Sequence, residues 1–362
     1  MQIDGKPYRT LWPSPDGRGV EVIDQTALPH RFKTVRLASL GDCVEAIGTM
    51  VVRGAPLFGA TAAYGLAIAL QDRADDAGLA QAYAALLASR PTAVNQRRAL
   101  DDVRAHVLPL APARRAAAAW DRAAAYCEAD VASCRRIGEA GLPLLEAAHR
   151  RTGQPVNILT HCNAGWLATV DWGTATAPIY MAHDRGIPVH VWVDETRPRG
   201  QGAMLTAYEL GQHGVPHTLV ADNAGGHLMQ HGLVDICLVG ADRVTARGDA
   251  ANKIGTYLKA LAAKANGVPF HVAIPETTMD WTIDDGLRDI AIEERDPSEV
   301  THATGETASG ALVSVRLSPK ATRARNPAFD VTPCELIDGF VTDRGLCGAN
   351  RDGLANAFGQ KR

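Results

Sequence analysis

The sequence predicts an α/β protein in which a C-terminal doubly wound parallel sheet follows a smaller, mainly helical N-terminal domain carrying short strands. Three observations support this fold class. The second half alternates short apolar runs with helical segments, which is typical of a parallel sheet covered by helices. The first half is rich in alanine and has helical periodicity. The length of 362 residues exceeds what one hydrophobic core usually holds, so we expect two domains, residues 1–134 and 135–362.

The N-terminal domain is predicted from a helical pattern that begins near Leu40. Residues 1 to about 40 have the pattern of short strands and turns instead. Thr92 is a candidate N-cap, because a threonine hydroxyl can accept from a free amide at a helix start. The last helix is long, and its pattern continues past Cys134 to His149, which suits a connection between two domains. The predicted helices cover residues 57–74, 79–87, 93–107 and 112–134.

The C-terminal domain is predicted from five apolar runs of about five residues each. Each run is followed by a segment long enough for a helix, and we expect the connections between parallel strands to be right-handed. A further short strand is predicted at residues 337–342, near the end of the chain. The predicted strands cover residues 157–161, 189–193, 217–221, 235–239 and 270–274, with helices at 174–185, 203–213, 223–231 and 253–265.

Composition excludes several classes of protein. A formal net charge of −3 argues against a basic nucleic-acid surface. No run reaches the roughly 18 apolar residues that a membrane span needs, and the first residues lack the pattern of a signal peptide. Seven cysteines without a C-x-x-C pair indicate neither a disulfide framework nor a zinc site. We therefore expect a cytoplasmic protein with reduced thiols and without nucleic-acid or membrane partners.

The segment around Asp242 is the first candidate site. Asp242 follows an apolar strand, and ligands of open α/β sheets bind outside the carboxyl ends of strands. Asn252 and Lys253 stand beside Gly255 at the expected start of the next helix, where free amides favour a phosphate. The alternative is equally compatible with the sequence: Asp242 caps the next helix, and Lys253 is a solvated side chain.

Cys162 is the second candidate, because it lies just past a predicted strand and before a glycine turn. Nearby helix amides would lower the pKa of its thiol and make it reactive. A buried packing role is the alternative, since cysteine is a common core residue. Side chains alternate across a strand, so His161 should face away from Cys162 and have a structural role.

Four further side chains are candidate anion ligands. Arg53 and Arg90 each lie beside a predicted helix start, where an anion is stabilised, and a surface arginine is the alternative for Arg53. The glycine turn with Arg199 and Gln201 suits a single phosphate or a polyol. It is not a dinucleotide fingerprint, because position 205 is Leu where a third glycine would stand.

Other chemistries lack support in the sequence. There is no phosphate-binding P-loop, no H-E-x-x-H and no G-x-S-x-G, and the twelve histidines show no convincing ligand spacing. The charged run at residues 293–296 is typical of an ion-paired or solvated turn.

Taken together, these segments resemble the methylthioribose-1-phosphate isomerases of methionine salvage. The matching motifs follow the family's order from about residue 50 to residue 345. They are RGAP at 53–56, SRPTAVN at 89–95, LTHCN at 159–163, DETRP at 194–198, QGA at 201–203, VGADR at 239–243, NKIGT at 252–256, EER at 293–295 and NPAFDVTP at 326–333.

The resemblance implies a catalytic pair, Cys162 and Asp242, together with a Rossmann-like C-terminal domain and a homodimer. It implies neither a metal nor an organic cofactor. Two departures concern substrate choice: Leu57-Phe58 and Gly200 stand where the family usually has smaller and bulkier residues, respectively. The substrate contacts that it implies are Arg53, Gly54, Ala55, Arg90, Gln201, Asn252 and Lys253.

The implied reaction converts 5-methylthio-α-D-ribose 1-phosphate to 5-methylthio-D-ribulose 1-phosphate. Asp242 would protonate the ring oxygen, and Cys162 would accept the C2 proton. A hydride shift from C2, with Cys162 only shaping the pocket, is the alternative route. Two other functions remain open: isomerisation of 5-deoxyribose 1-phosphate or ribose 1,5-bisphosphate, and a non-catalytic role like that of the related regulatory subunits of the translation-initiation exchange factor.

Overall fold

The computed structural model describes residues 1–359 and confirms the predicted α/β fold class. The strands are β1 (Gln2–Ile3), β2 (Lys6–Pro7), β3 (Leu11–Pro13), β4 (Val20–Ile23), β5 (Thr34–Leu37), β6 (Val156–Thr160), β7 (Val189–Asp194), β8 (His217–Val220), β9 (Ile236–Val239), β10 (Arg243–Thr245), β11 (Ala250–Lys253), β12 (Phe270–Ile274), β13 (Met279–Asp280), β14 (His302–Glu306), β15 (Leu312–Arg316), β16 (Phe329–Thr332), β17 (Gly339–Thr342) and β18 (Gly345–Cys347). The α-helices are α1 (Leu40–Gly48), α2 (Ala55–Asp72), α3 (Asp76–Ser89), α4 (Val94–Val107), α5 (Pro112–Thr152), α6 (Ala177–Asp184), α7 (Ala207–His213), α8 (Ala224–Gln230), α9 (Thr256–Asn266), α10 (Gly286–Asp289), α11 (Ser298–Thr301) and α12 (Arg351–Phe358). A π-helical turn, Gly202–Thr206, leads into α7.

A seven-stranded sheet forms the centre of the C-terminal half, in the order β18-β17-β12-β9-β6-β7-β8. All neighbours are parallel except β17 and β18. Successive side chains alternate between the two faces, so each strand contributes to two cores. Ile158 and Leu238 pack on the side of α5 and α6, whereas Leu159 and Val239 pack on the side of α8 and α9.

The N-terminal half packs three helices, α1, α3 and α4, and the first part of α5 around α2. Nearly every residue of α2 is buried, because neighbouring helices cover it on all sides. Its N-cap, Gly54, has a φ of 106°. A Cβ at this position would lie 2.4 Å from the carbonyl oxygen of Ala168, so the close approach of α2 to the C-terminal half requires glycine.

Helix α5 runs without interruption from Pro112 to Thr152 and packs against elements of both halves. The predicted helix ended at residue 134, inside this longer helix. The division into residues 1–134 and 135–362 remains a prediction, and its boundary falls within α5.

A second, four-stranded sheet, β13-β10-β11-β16, lies beyond the carboxyl ends of the central strands and was not predicted. In this sheet β11 pairs antiparallel with both β10 and β16. The expected helix start at Lys253 is therefore wrong: Lys253 ends a strand, and α9 begins at Thr256 after Gly255. The expected cap at Thr92 is also wrong, because α4 has Ala93 as its N-cap and no side-chain capping bond.

Among residues 1–359, no helix combines the length and the apolar character needed to cross a lipid bilayer.

Candidate active site

A cleft of about 640 Å³ opens between the N-terminus of α2 and the carboxyl ends of the central strands. Four of those strands border it through the segments that follow them, and the second sheet forms another wall through β11 and β16. The two catalytic residues and the seven substrate contacts that the family resemblance implies all line this one cleft: Arg53, Gly54, Ala55, Arg90, Cys162, Gln201, Asp242, Asn252 and Lys253.

Asp242 is presented by the turn that joins β9 to β10. Its backbone amide donates to the carbonyl oxygen of Ala251 at 2.9 Å, which attaches the turn to the second sheet. A strand follows Asp242, so Asp242 caps no helix. The alternative role of this residue as a helix cap is therefore wrong. Burial raises the pKa of its carboxyl above the usual value, although Lys253, Arg53 and Arg90 oppose the shift. The site therefore favours an aspartic acid that keeps its proton more readily than an exposed one.

Cys162 lies just past β6 with a φ of 67°, an uncommon backbone conformation for a residue other than glycine. The hydroxyl of Thr196 accepts from its backbone amide at 2.8 Å. The expected lowering of the thiol pKa is wrong: burial raises it, and the charges of Arg53 and Lys253 offset only part of the rise. The neutral thiol is accordingly favoured in the empty cleft.

Arg53 precedes α2 and crosses to the loop after β6. Its guanidinium donates to the side-chain oxygen of Asn163 and, at 3.0 Å, to the backbone carbonyl of the same residue. Asn163 in turn donates to Glu209 at 3.0 Å. Burial raises the pKa of the Glu209 carboxyl to about 8. Arg53 is thus held over the cleft by groups 110 residues away in the sequence.

Arg90 follows the C-terminal end of α3 rather than standing in the first turn of a helix. Its guanidinium lies 4.9 Å above the ring centroid of Phe58 and donates to Glu293 at 2.9 Å. Glu293 also accepts from Arg295 at 3.0 Å. The charged run at residues 293–296 is therefore ion-paired, as expected, and one member of it holds a residue of the cleft.

Lys253 is buried, with 6% of its surface exposed, and its ammonium lies 4.4 Å from the ring centroid of Phe329. Burial lowers the pKa of this ammonium, and the negative charges of Cys162 and Asp242 act in the opposite direction. The ammonium has no hydrogen-bond acceptor within residues 1–359. A buried cation without an acceptor is costly, so the cleft is prepared for an anionic ligand.

The remaining predicted residues provide polar groups and backbone. Gln201 is buried, and its side-chain oxygen lacks a hydrogen-bond partner in the part of the chain that the structure describes. Asn252 donates to Thr256 at 3.0 Å. Arg199, by contrast, pairs with Glu299 at 2.9 Å and does not line the cleft, so its expected phosphate role is wrong.

Residue-level reasoning missed several side chains of the cleft. Asn163 and Phe329 line it beside the predicted residues, as does Thr278, which follows β12. Phe58, one of the departures noted from the family pattern, lines it as well. Asn163 and Phe329 lie inside two of the matching motifs, and that position was the available signal. Nothing local to Thr278 indicates a site.

Comparison with known proteins agrees with this geometry. A profile of the Initiation factor 2 subunit family matches residues 51–348. A methylthioribose-1-phosphate isomerase of Methylorubrum populi is 61% identical, over 100% of this chain and 99% of the relative. The chain belongs to the methylthioribose-1-phosphate isomerases within that family.

Two solved structures share the fold of this chain over nearly its whole length. The crystal structure of 5-methylthioribose 1-phosphate isomerase from Pyrococcus horikoshii OT3 is 37% identical with a TM-score of 0.85, covering 98% of this chain and 97% of that one. The translation initiation factor eIF-2B subunit delta from A. fulgidus is 32% identical with a TM-score of 0.80, covering 98% and 100%. The fold is therefore shared by an enzyme and by a translation factor, and the side chains of the cleft must distinguish the two.

Proposed function

We propose that this protein is an aldose–ketose isomerase that converts 5-methylthio-α-D-ribose 1-phosphate to 5-methylthio-D-ribulose 1-phosphate in methionine salvage. The observation that carries the proposal is the cleft itself. It combines a carboxyl whose pKa is raised, a thiol and three cationic side chains, all from separate elements of the fold. A sugar phosphate whose ring does not open by itself needs an acid to open the ring, a group that accepts the C2 proton and cations that bind the phosphate.

Phosphate on the anomeric oxygen keeps the sugar closed, so the ring must be opened by the enzyme. We assign Asp242 as the acid that gives its proton to the ring oxygen while the bond from C1 to that oxygen breaks. Burial favours the protonated carboxyl that this step requires. Arg53, Arg90 and Lys253 would hold the phosphate, with further contacts from Gly54, Ala55, Gln201 and Asn252.

Cys162 is assigned to the proton at C2. Loss of that proton to the thiolate forms the double bond between C1 and C2 as the ring opens. The same thiol then returns a proton to C1, while the C2 hydroxyl gives its proton to the Asp242 carboxylate and becomes the ketone. Protons balance over the cycle, and both side chains return to their starting states.

The raised pKa of Cys162 favours a second route, in which the C2 hydrogen moves to C1 as a hydride. Substrate carrying deuterium at C2 separates the routes when it reacts in ordinary water. Transfer through Cys162 loses deuterium to solvent, because a thiol proton exchanges with water, and the product carries little label at C1. Full retention of the label would reassign Cys162 to shaping the pocket.

Turnover is the decisive test of function. The purified protein should isomerise 5-methylthioribose 1-phosphate with a higher kcat/KM than 5-deoxyribose 1-phosphate or ribose 1,5-bisphosphate. Preference for either of the other sugars would change the substrate but keep the chemistry. No turnover of any of the three would favour the non-catalytic role of the translation-factor relatives.

Three broader assignments belong to the same proposal. We place the protein in the cytoplasm, where the seven free cysteines would remain reduced. We assign it as a homodimer that acts on a small sugar phosphate, without nucleic-acid or membrane partners. Residues 1–134 and 135–362 are the proposed domains, with the cleft between them.

A further inference from the structure

His161 is a buried histidine that the proposed chemistry does not use. It has no measurable exposure and does not line the cleft, although it immediately precedes Cys162. Its Nδ1 lies 2.9 Å from a carboxylate oxygen of Asp194, and its Nε2 lies 2.8 Å from the carbonyl oxygen of Ile254. Both ring nitrogens therefore face acceptor oxygens.

Charged groups surround the ring. Lys259 lies 3.2 Å from the same Asp194 oxygen, and Asp222 lies 4.0 Å from the imidazole. The carboxylate of Asp330 faces the ring from β16 and accepts from the backbone amide of Gly255 at 2.7 Å. Histidine and two carboxylates could also hold a metal ion, but the Lys259 ammonium already supplies positive charge to Asp194.

The ring connects two segments that carry residues of the cleft. One neighbour of His161 in the chain is Cys162, and the carbonyl that accepts from Nε2 belongs to the residue after Lys253. Contact with the second segment is close: a Cβ at Gly255 would lie 2.9 Å from the imidazole Cε1. One covalent step on each side and one hydrogen bond therefore link Cys162 to Lys253.

We propose that His161 is a positioning residue that fixes Lys253 relative to Cys162 by joining Asp194 to the carbonyl of Ile254. This inference rests on the proposed function, in which Lys253 binds the substrate phosphate. Pairing with β16 also holds the end of β11, through Lys253 opposite Phe329 and the amide of Ile254, which donates to Ala328 at 3.0 Å. Loss of the bond to His161 would remove the contact that fixes this end relative to the loop of Cys162, so Lys253 would meet the phosphate in a less fixed geometry. KM and phosphate affinity should change, whereas the protonation steps at Asp242 should change less.

Two substitutions at this position separate the two bonds. His161→Asn places an amide nitrogen near the position of Nδ1 and keeps the bond to Asp194, but it loses the bond to Ile254. His161→Gln reaches the position of Nε2 and keeps the bond to Ile254. We expect His161→Asn to raise KM roughly tenfold or more, because a misplacement of about 1 Å can cost about 10²-fold. His161→Gln should restore KM to near wild type while both variants lose thermal stability.

The experiment measures kcat and KM with 5-methylthioribose 1-phosphate, and inorganic phosphate binding by calorimetry, for wild type and both variants. His190→Asn is the control: within residues 1–359, His190 on β7 makes one side-chain hydrogen bond, to Thr218 at 2.9 Å, and packs against the Trp192 ring. In a Lys253→Met background, His161→Asn should have little further effect on KM. If His161→Asn does not fold, Gly255→Ala displaces the same ring and should raise KM in the same way.

Each outcome decides the inference. An unchanged KM in His161→Asn, equal KM values in the two variants, or additive effects with Lys253→Met would overturn it and leave the proposed function intact. A wild-type protein that neither turns over the sugar nor binds phosphate would overturn the proposed function and, with it, this inference.

Discussion

Replacing Lys253 with methionine should move substrate affinity and stability in opposite directions. The ammonium is buried, lies over Phe329, and has no acceptor within the described residues. Burial lowers its pKa, so the folded protein binds this proton less tightly than the unfolded chain. Below its folded pKa the charge therefore costs stability, and methionine of similar length removes that cost.

The magnitudes follow from the same contacts. A charge-assisted bond to phosphate contributes about 1.5–3 kcal/mol, and each 1.4 kcal/mol is about tenfold, so KM should rise by roughly one to two decades. An uncompensated buried polar group costs about 1–3 kcal/mol. With about 2.1 cal/mol/K of unfolding entropy per residue, that cost corresponds to a rise in Tm of roughly 1–4 °C for a chain of 362 residues.

The assay compares wild type, Lys253→Met and Lys264→Met, an exposed lysine of α9 that serves as the control. Initial rates give KM, and calorimetry gives Tm between pH 7 and pH 10.5. As the pH rises from the folded pKa of Lys253 toward 10.5, the Tm of the wild type should rise relative to that of Lys253→Met. In this range the unfolded wild-type chain binds more protons than the folded protein, so raising the pH stabilises the fold. A lower Tm with an unchanged KM would make Lys253 a structural residue and refute the reasoning.

Three further outcomes are expected. Asp242→Asn and Cys162→Ser should each lower kcat by at least about 10²-fold while remaining folded by circular dichroism, and more than a tenth of wild-type turnover would exclude the acid–base role. Glu209 has a pKa of about 8, so its contribution to stability should fall between about pH 5 and pH 8, and calorimetric scans of Glu209→Gln should lack that part of the slope. Exhaustive treatment with a chelator should leave kcat unchanged, and loss of activity restored by a divalent ion would contradict the metal-free reaction.

The central sheet was predictable because its strands are encoded locally. Each is a short apolar run bounded by turn residues, and the run at Phe270–Ile274 matches its predicted range. Parallel strands have their carboxyl ends at one edge, so the positions of Cys162 and Asp242 could be inferred to converge there. The prediction needed only the order of elements and the side on which each strand ends.

The second sheet could not be predicted, because pairing between distant segments creates it. Strand β11 has the sequence Ala-Ala-Asn-Lys, which contains no residue that favours strands. It becomes a strand by pairing with β16. In this pairing Lys253 lies opposite Phe329, which is 76 residues later in the sequence. The helix start was therefore predicted too early, at Lys253. A lysine two residues before a glycine is compatible both with the end of a strand and with the start of a helix.

The same limit applies to electrostatics. Local sequence suggested that helix amides would lower the pKa of Cys162, but its burial comes from elements throughout the fold and raises that pKa. The acceptors that orient Arg53 and Arg90 also lie far away in sequence, at Asn163 and Glu293. Sequence identified the residue types of the cleft, whereas their ionisation depends on tertiary packing.

Phosphate binding and acid strength are coupled in this cleft. Lys253, Arg53 and Arg90 oppose the effect of burial on Asp242 and weaken its hold on a proton. A bound phosphate dianion would neutralise much of their field, so burial would act on the carboxyl with less opposition and raise its pKa further. Substrate would thus help to keep Asp242 protonated just when the ring oxygen needs that proton. The same anion would also raise the pKa of Cys162, so forming the thiolate that accepts the C2 proton is the harder requirement for this site to meet.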